Sequence, residues 1–308
     1  MNIEYVLVND EGVVHVPPNS SVAEINGAIR KHVSTTHGCE AHCIVLEKIP
    51  NKSPMYLVLI DQGLQSFRQN GCTVDVVDGQ PLTDAQKDQV QKEIRKWIIR
   101  KQIRVLDLTD LYVYFGITKM IPDAFDQCAS LTSLILPDGL VAIGEGAFDH
   151  CTALTTVAMP ASVTTIGAYA FWNCTSLTTV AMPAGLATIG ASAFDGCTSL
   201  ARIALPDGLA TIGEGTFYGC TSLARIALPD TLTTIGASAF YGCTSLARIA
   251  LPDTLTTIDE GAFYGCTSLV TIVIPDSVST IGAYAFKGCA ALTTVAFVGS
   301  IIIKLNKM

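Results

Sequence analysis

From residue 128 onward, apolar side chains return to the same places with a 23-residue period. One copy begins at Cys197. In it Leu200, Ile203, Leu205, Leu209, Ile212 and Phe217 are apolar, and most of the residues between them are small or polar. The segment GCTSLARIALPD at 196–207 recurs letter for letter at 219–230 and 242–253. A fixed period of this length marks a solenoid, in which no coil can bury its own apolar set and stacked coils can. Within a coil, Ile203 and Leu205 alternate with Ala204, the period of an extended strand. Pro206 has no N–H to donate to a ladder, so it is expected to end that strand. Leu209 and Ile212 turn back inward on the return path, Gly213 permits a tight bend or close packing, and Phe217 plugs the coil. The small residue before that phenylalanine is alanine in most copies, such as Ala193 and Ala239, and Thr216 here.

The register extends past the obvious copies. One period before Cys128 stands Val105, after which Leu108, Leu111, Val113, Ile117, Met120, Ala124 and Phe125 fall on apolar positions. Residues 105–127 therefore read as a divergent first coil. Residues 289–308 read as a truncated last coil, with Ile301 at the position of Leu209.

Eight of the eleven cysteines, Cys128 to Cys289, share the repeat. Neighbouring thiols in a row point the same way, which does not suit disulfide geometry. A row does not converge on one point, as a zinc site requires. The remaining reading is a small buried hydrophobe at a tight corner, and Val105 stands at that position in the divergent coil.

The elements L-x-x-I-x-L-P, I-G-x-x-A-F and the cysteine, all present in 220–242, resemble the BspA-like class of leucine-rich repeats. Neighbouring copies depart by single letters, such as Asp259 for glycine. The resemblance covers about two thirds of the chain. It implies a leucine-rich-repeat solenoid with a parallel sheet on one face, in proteins that are mostly bacterial surface or host-interaction molecules.

Residues 1–82 read as a small α/β domain of no recognised family. Strands are expected at 2–8, 13–16, 43–49, 55–60 and 72–77, and helices at about 21–33 and 62–69. The stretch His37, Cys39, His42, Cys43 offers four possible metal ligands close together, but zinc sites usually combine two separated pairs. A loop entering a strand is the simpler reading, and a nucleophilic cysteine with a histidine base has no supporting signature. Residues 83–104 read as a basic amphipathic helix with Val90, Ile94, Trp97 and Ile98 on one face. Such a helix can cap the solenoid, the preferred reading, or lie on an acidic membrane surface.

Composition narrows the function. The chain is 49% hydrophobic and 15% charged, with mean hydropathy +0.43. None of its apolar runs reaches the length of roughly 18 residues that a spanning helix requires. The N-terminus lacks a signal-peptide pattern, which suggests a cytoplasmic protein or one exported without a classical signal peptide. A net charge of −8 argues against general nucleic-acid binding. No motif implies a cofactor or a metal.

The expected function is a non-enzymatic scaffold that binds a protein partner through the repeat surface, with host interaction implied by the resemblance. The alternatives are an enzyme or effector housed in residues 1–82 with the repeats as substrate selector, and a structural protein that assembles through its solenoid ends. The candidate partner-binding residues form two rows. Outward sheet positions are small in earlier coils (Thr156, Thr179) and become Arg202, Arg225 and Arg248 in three consecutive ones. Asp207, Asp230 and Asp253 form a parallel row that can neutralise them. On another edge Tyr218, Tyr241 and Tyr264 repeat, with Trp172 at the equivalent earlier position. These rings can serve a partner or pack on one another.

Overall fold

The computed structural model describes residues 3–6, 13–16, 40–47, 55–61, 83–108, 116–297 and 302–304. The chain divides into two compact units. One comprises Met1–Thr118 with Ser130–Gly139, the other Lys119–Ala129 with Leu140–Met308. Among the described residues, no helix is long and apolar enough to cross a membrane.

In the first unit, β1 (Ile3–Val6) and β2 (Val13–Val16) pair antiparallel, Val6 opposite Val13. These strands fall within the two expected at 2–8 and 13–16. Next, β3 (Glu40–Glu47) and β4 (Met55–Asp61) form a second antiparallel pair. β3 begins at Glu40, ahead of the start at Cys43 that the alternation suggests. Its register passes from Ala41 opposite Ile60 to Cys43 opposite Leu59, leaving His42 as the extra residue of a bulge. His37 and Cys39 lie outside the described residues, as do the expected helices at 21–33 and 62–69 and the expected strand at 72–77.

Helix α1 (Asp84–Lys101) starts where the sequence places it. The Thr83 carbonyl accepts the Lys87 amide at 3.0 Å, and Asp84 in the first turn suits the positive end of the helix. Val90, Ile94 and Ile98 are buried, while Lys92, Lys96 and Arg100 are exposed. The helix closes as Gln102 turns left-handed (φ 54) and the Ile103 amide reaches back to the Ile98 carbonyl at 3.1 Å. Ile103 and Ile98 are both buried, the apolar pairing that accompanies this kind of stop.

The first coil departs from the expected register. β5 (Val105–Asp107) pairs parallel with β6 (Ser133–Ile135), Leu106 opposite Leu134. Val105 is the register partner of Ser133, a place that a uniform period assigns to Asp110. The strand therefore lies earlier in the chain than the repeat predicts. Farther along, the bridge between Lys119 and Ala142 has the regular offset of one period. The coil thus holds its register on the return path and is longer between strand and return. Leu106 and Leu108 alternate inward directly after the helix stop, and both are buried. They take the places that a uniform period gives to later residues.

In the second unit each regular coil carries two short segments on separate faces, most of them paired as strands. The first sheet is built from segments such as Thr156–Ala158 beside Thr179–Ala181, and Arg202–Ala204 beside Arg225–Ala227. In both pairs the partners are one period apart. The strands end before the proline, as expected, and the Pro206 carbonyl accepts the Leu209 amide. The second sheet includes the Thr-Ile pairs 211–212, 234–235, 257–258 and 280–281, again in parallel register. The apolar pattern does not announce this sheet, although a β-branched pair recurring in each coil is a strand signal.

Between the sheets run two stacked rows. Phe125, Phe148, Phe171, Phe194, Phe217, Phe240, Phe263 and Phe286 lie ring on ring, centroids 5.1–5.8 Å apart. Burial of one such ring stabilises by about 1.5–3 kcal/mol, and each aromatic pair adds about 0.5–1.5 kcal/mol. The cysteines form the other row. All eight are free and buried, which agrees with the packing reading. They also do something that spacing alone does not show. Each thiol from Cys151 to Cys289 donates to a phenylalanine carbonyl of the preceding coil, at 3.1 Å. That carbonyl already accepts the amide of its own coil's cysteine, as Phe194 does from Cys197 at 3.2 Å. The thiol thus ties one coil to the corner of the preceding one. Thr216 is fully buried and keeps its hydroxyl satisfied on the Gly213 carbonyl at 2.9 Å.

The last coil is corrected as well. Residues 302–304 do not continue a parallel coil. They form a strand, Ile302–Lys304, that runs antiparallel along Thr294–Phe297, with Val295 opposite Ile303. The chain reverses and covers an edge that another parallel coil would otherwise occupy.

Candidate partner-binding surface

On the first sheet the buried Ile203 and Ile226 are flanked by exposed Arg202, Ala204, Arg225 and Ala227. The alternation of the strand alone produces this, since every second side chain must leave the core. Arg202 and Arg225 are direct register partners, and parallel neighbours stand about 4.8 Å apart. Two guanidinium groups about 5 Å apart repel by about 0.8 kcal/mol in water, and more where water is excluded. Arg248, one coil on, is also exposed. Among the described residues none of the three forms an ion pair, and Asp207, Asp230 and Asp253 remain exposed beside them without closing the distance. The aspartate row accompanies the arginines but does not bind them.

The strand geometry lapses at Arg248. Among the described residues, no backbone hydrogen bond joins residues 248–251 to the neighbouring coils, and the next strand of this face is Thr271–Ile274. A groove of about 330 Å³ lies there, lined by Arg248, Ala250, Asp253, Thr271, Val273 and Pro275 among others. Val270 and Val273 beside it are 44% and 52% exposed, an apolar pair on a face whose other outward positions in these coils are arginine, alanine and threonine.

The tyrosines occupy the turn side of the coils. Tyr218 stacks on Tyr241 at 4.5 Å and Tyr241 on Tyr264 at 4.6 Å, the rings within 7° of parallel. They pack on one another, the partner-free possibility weighed from the sequence, and present ring edges outward. Burial first, then the neighbouring Tyr241, holds the Tyr218 hydroxyl above its usual range. Lys287 follows in the same row, 5.9 Å from the Tyr264 centroid and 4.9 Å from that of Tyr284. Trp172 does not join this ladder, because Asp195 occupies the coil between. Instead it meets His150 and Tyr169 edge-on at 5.1 and 6.0 Å.

The same row carries a polar cluster that sequence reasoning missed. Asp126, Asp149 and His150 bring ligand-type atoms within 4.8 Å of one another. His150 Nδ1 lies 2.6 Å from Asp149 Oδ1, and the Asn173 amide lies 3.3 Å from its Nε2. Burial raises the Asp149 carboxyl above its usual range, opposed by His150. Burial also pushes Asp195 up to about 6. The sequence signal was available: these residues stand at or beside the tyrosine phase of the repeat.

A family model described as the BspA type leucine rich repeat region matches this chain in six copies, over residues 118–227 and 187–306. Among solved structures, a leucine-rich repeat protein from Bacteroides ovatus is 29% identical with a TM-score of 0.51, the match covering 59% of this chain and 53% of that one. This chain thus spans about half the length of that protein. The T. pallidum leucine rich repeat protein is 28% identical, with a TM-score of 0.44 and coverage of 57% and 72%. A leucine rich cell surface protein from Faecalibacterium prausnitzii is 26% identical, with a TM-score of 0.33 and coverage of 60% and 70%. No curated protein matches the chain.

Proposed function

The chain belongs to the BspA-type leucine-rich repeat family, and from that premise we propose that it is a non-enzymatic scaffold that binds a protein partner through its first sheet. The observation that carries this reading is the row of exposed Arg202, Arg225 and Arg248 on an acidic chain of net charge −8, with no carboxylate within ion-pair reach among the described residues. Three like charges in a row are a standing cost that an acidic partner relieves. The tyrosine ladder and Trp172 form a second surface, on the turn side. Stacked rings whose faces are already used offer a partner edges and hydroxyls rather than platforms, so their contribution is secondary.

The test is affinity capture of a partner with the full chain, followed by titration against two triple variants. Replacing Arg202, Arg225 and Arg248 by alanine should weaken binding at least tenfold and flatten its salt dependence. Replacing Tyr218, Tyr241 and Tyr264 by alanine should weaken it less, at unchanged salt dependence. Binding at wild-type strength by both variants would overturn the assignment of this surface.

A further inference from the structure

The geometry points to the occupant of this sheet: an extended acidic segment of a partner protein, lying across the strands, with its carboxylates on Arg202, Arg225 and Arg248 and an apolar side chain in the groove against Ala250, Val273 and Pro275. This rests on the scaffold reading and specifies the partner's chemistry at the same site.

Charge complementarity sets the sign of the ligand. The arginines are exposed, and Arg202 and Arg225 are in direct register. Each is separated from the aspartate at the strand end by an outward alanine and a proline. An acidic chain is therefore drawn to the arginine side and repelled by the row of Asp207, Asp230 and Asp253. The two rows together define a lane along the stack rather than a diffuse patch. Spacing suits an extended polypeptide. Alternate side chains of a strand recur every ~6.6–6.8 Å, and long arginine side chains on coils ~4.8 Å apart can fan to meet them.

The apolar end of the lane favours a polypeptide over a sulfated or phosphorylated polymer. Directly after Arg248 the outward positions change from arginine and alanine to Thr271 and Val273, and the groove opens at that step. Val273 is 52% exposed, in a position where every other coil from Ala158 to Ala296 carries alanine. A purely anionic polymer has no use for this feature, whereas a leucine following a run of acidic residues fits it.

The experiment uses the full chain and four fluorescent decapeptides: a glutamate-rich peptide with leucine at one end, its reversed sequence, the version with alanine for leucine, and a lysine-rich counterpart. A sulfated oligosaccharide serves as competitor. One leucine-bearing peptide is expected to bind at least tenfold more tightly than its alanine version, and the lysine peptide not to bind. The R202A/R225A/R248A variant should lose at least tenfold, and so should Val273→Asp, at a position 52% exposed, with circular dichroism expected to stay unchanged as the control for folding. Equal binding by the leucine and alanine peptides, indifference to Val273→Asp, or displacement by the sulfated oligosaccharide at lower concentration than by the peptide overturns the inference. If no peptide binds while the arginine variant still loses a captured partner, the extended acidic segment is wrong and the scaffold reading stands. If a captured partner ignores both triple variants, the scaffold reading itself falls.

Discussion

Replacing Cys220 separates packing from hydrogen bonding in the thiol row. Its sulfur is fully buried and donates to the Phe194 carbonyl at 3.1 Å. Cys220→Ala removes roughly one methylene's worth of buried volume or slightly more, about 1 kcal/mol by transfer, plus the cost of incomplete collapse. Losing a weak S–H···O contact adds about 0.5 kcal/mol, so the total is about 1.5–2.5 kcal/mol. Cys220→Ser decides the mechanism. A buried hydroxyl with no partner costs about 1–3 kcal/mol relative to an apolar group, but here the carbonyl is in place to accept it. Serine should therefore be at least as stable as alanine, despite being polar. Cys220→Val fills the space without a donor and should cost about 0.5–1 kcal/mol. Repeat proteins can unfold in parts, so urea titration should be paired with hydrogen exchange at the amides of Cys220 and Phe217, which donate to the carbonyls of Phe217 and Ala239. If serine proves less stable than alanine by more than about 1 kcal/mol, the carbonyl is not an effective acceptor and the thiol is only a filler.

Burial raises the thiols of Cys151, Cys174, Cys197, Cys220, Cys243 and Cys266 well above the usual cysteine range but that of Cys289 only to about 11. Iodoacetamide at mildly alkaline pH should therefore label Cys289 before Cys151 through Cys266, read by peptide mapping; uniform labelling would contradict the row's burial. Asp195 is raised from 3.8 to about 6 by burial, so its protonated form stabilises the fold below about pH 4 and that contribution is lost as pH rises through about 6. Asp195→Asn should then stabilise by about 1 kcal/mol near neutral pH, after allowance for its partial exposure, and by nothing near pH 4; equal gains at both pH values in urea titrations would refute this. Truncation after Phe297 removes the strand Ile302–Lys304 that covers Thr294–Phe297. The exposed edge should raise aggregation in light scattering, and a truncated chain that stays monodisperse and equally stable would show that the strand is not a cap.

The interior of the solenoid was legible because every apolar position is repeated. Leu200, Ile203, Leu209, Ile212 and Phe217 are all buried, and their equivalents in the neighbouring coils behave alike. A neighbour in sequence phase is a neighbour in space, so one correct coil determines the others. The ends were not legible for the same reason. β5 sits away from its repeat position, since Leu106 and Leu108 already turn inward directly after the helix stop and both are buried. At the other end, continuing the pattern to Ile301 gave a coil, but repetition does not say what covers the open edge of Thr294–Phe297. An antiparallel return solves that problem, and periodicity contains no information about it.

The candidate surface was half legible, and the difference lies in what a row can tell. Phase identifies which residues share a height and a side. It therefore found Arg202, Arg225 and Arg248 as one row and the tyrosines as another. It does not give the distance between rows. Whether Asp207 and its repeats neutralise the arginines depended on strand-end geometry, and the exposed rows do not meet. Nor does phase reveal a break in strand pairing, since the sequence 242–253 that contains the lapse at Arg248 is identical to 219–230, where the strand is intact. Pairing on this face lapses between Thr179–Ala181 and Arg202–Ala204 too; the coil that follows Arg248 differs by carrying Thr271 and Val273 in place of arginine and alanine, in a strand that lengthens to Ile274. Identical letters thus need not carry identical strand pairing. In a protein whose coils touch only their neighbours, specificity can be written by one coil at the edge of a uniform row, and that is where Val273 stands.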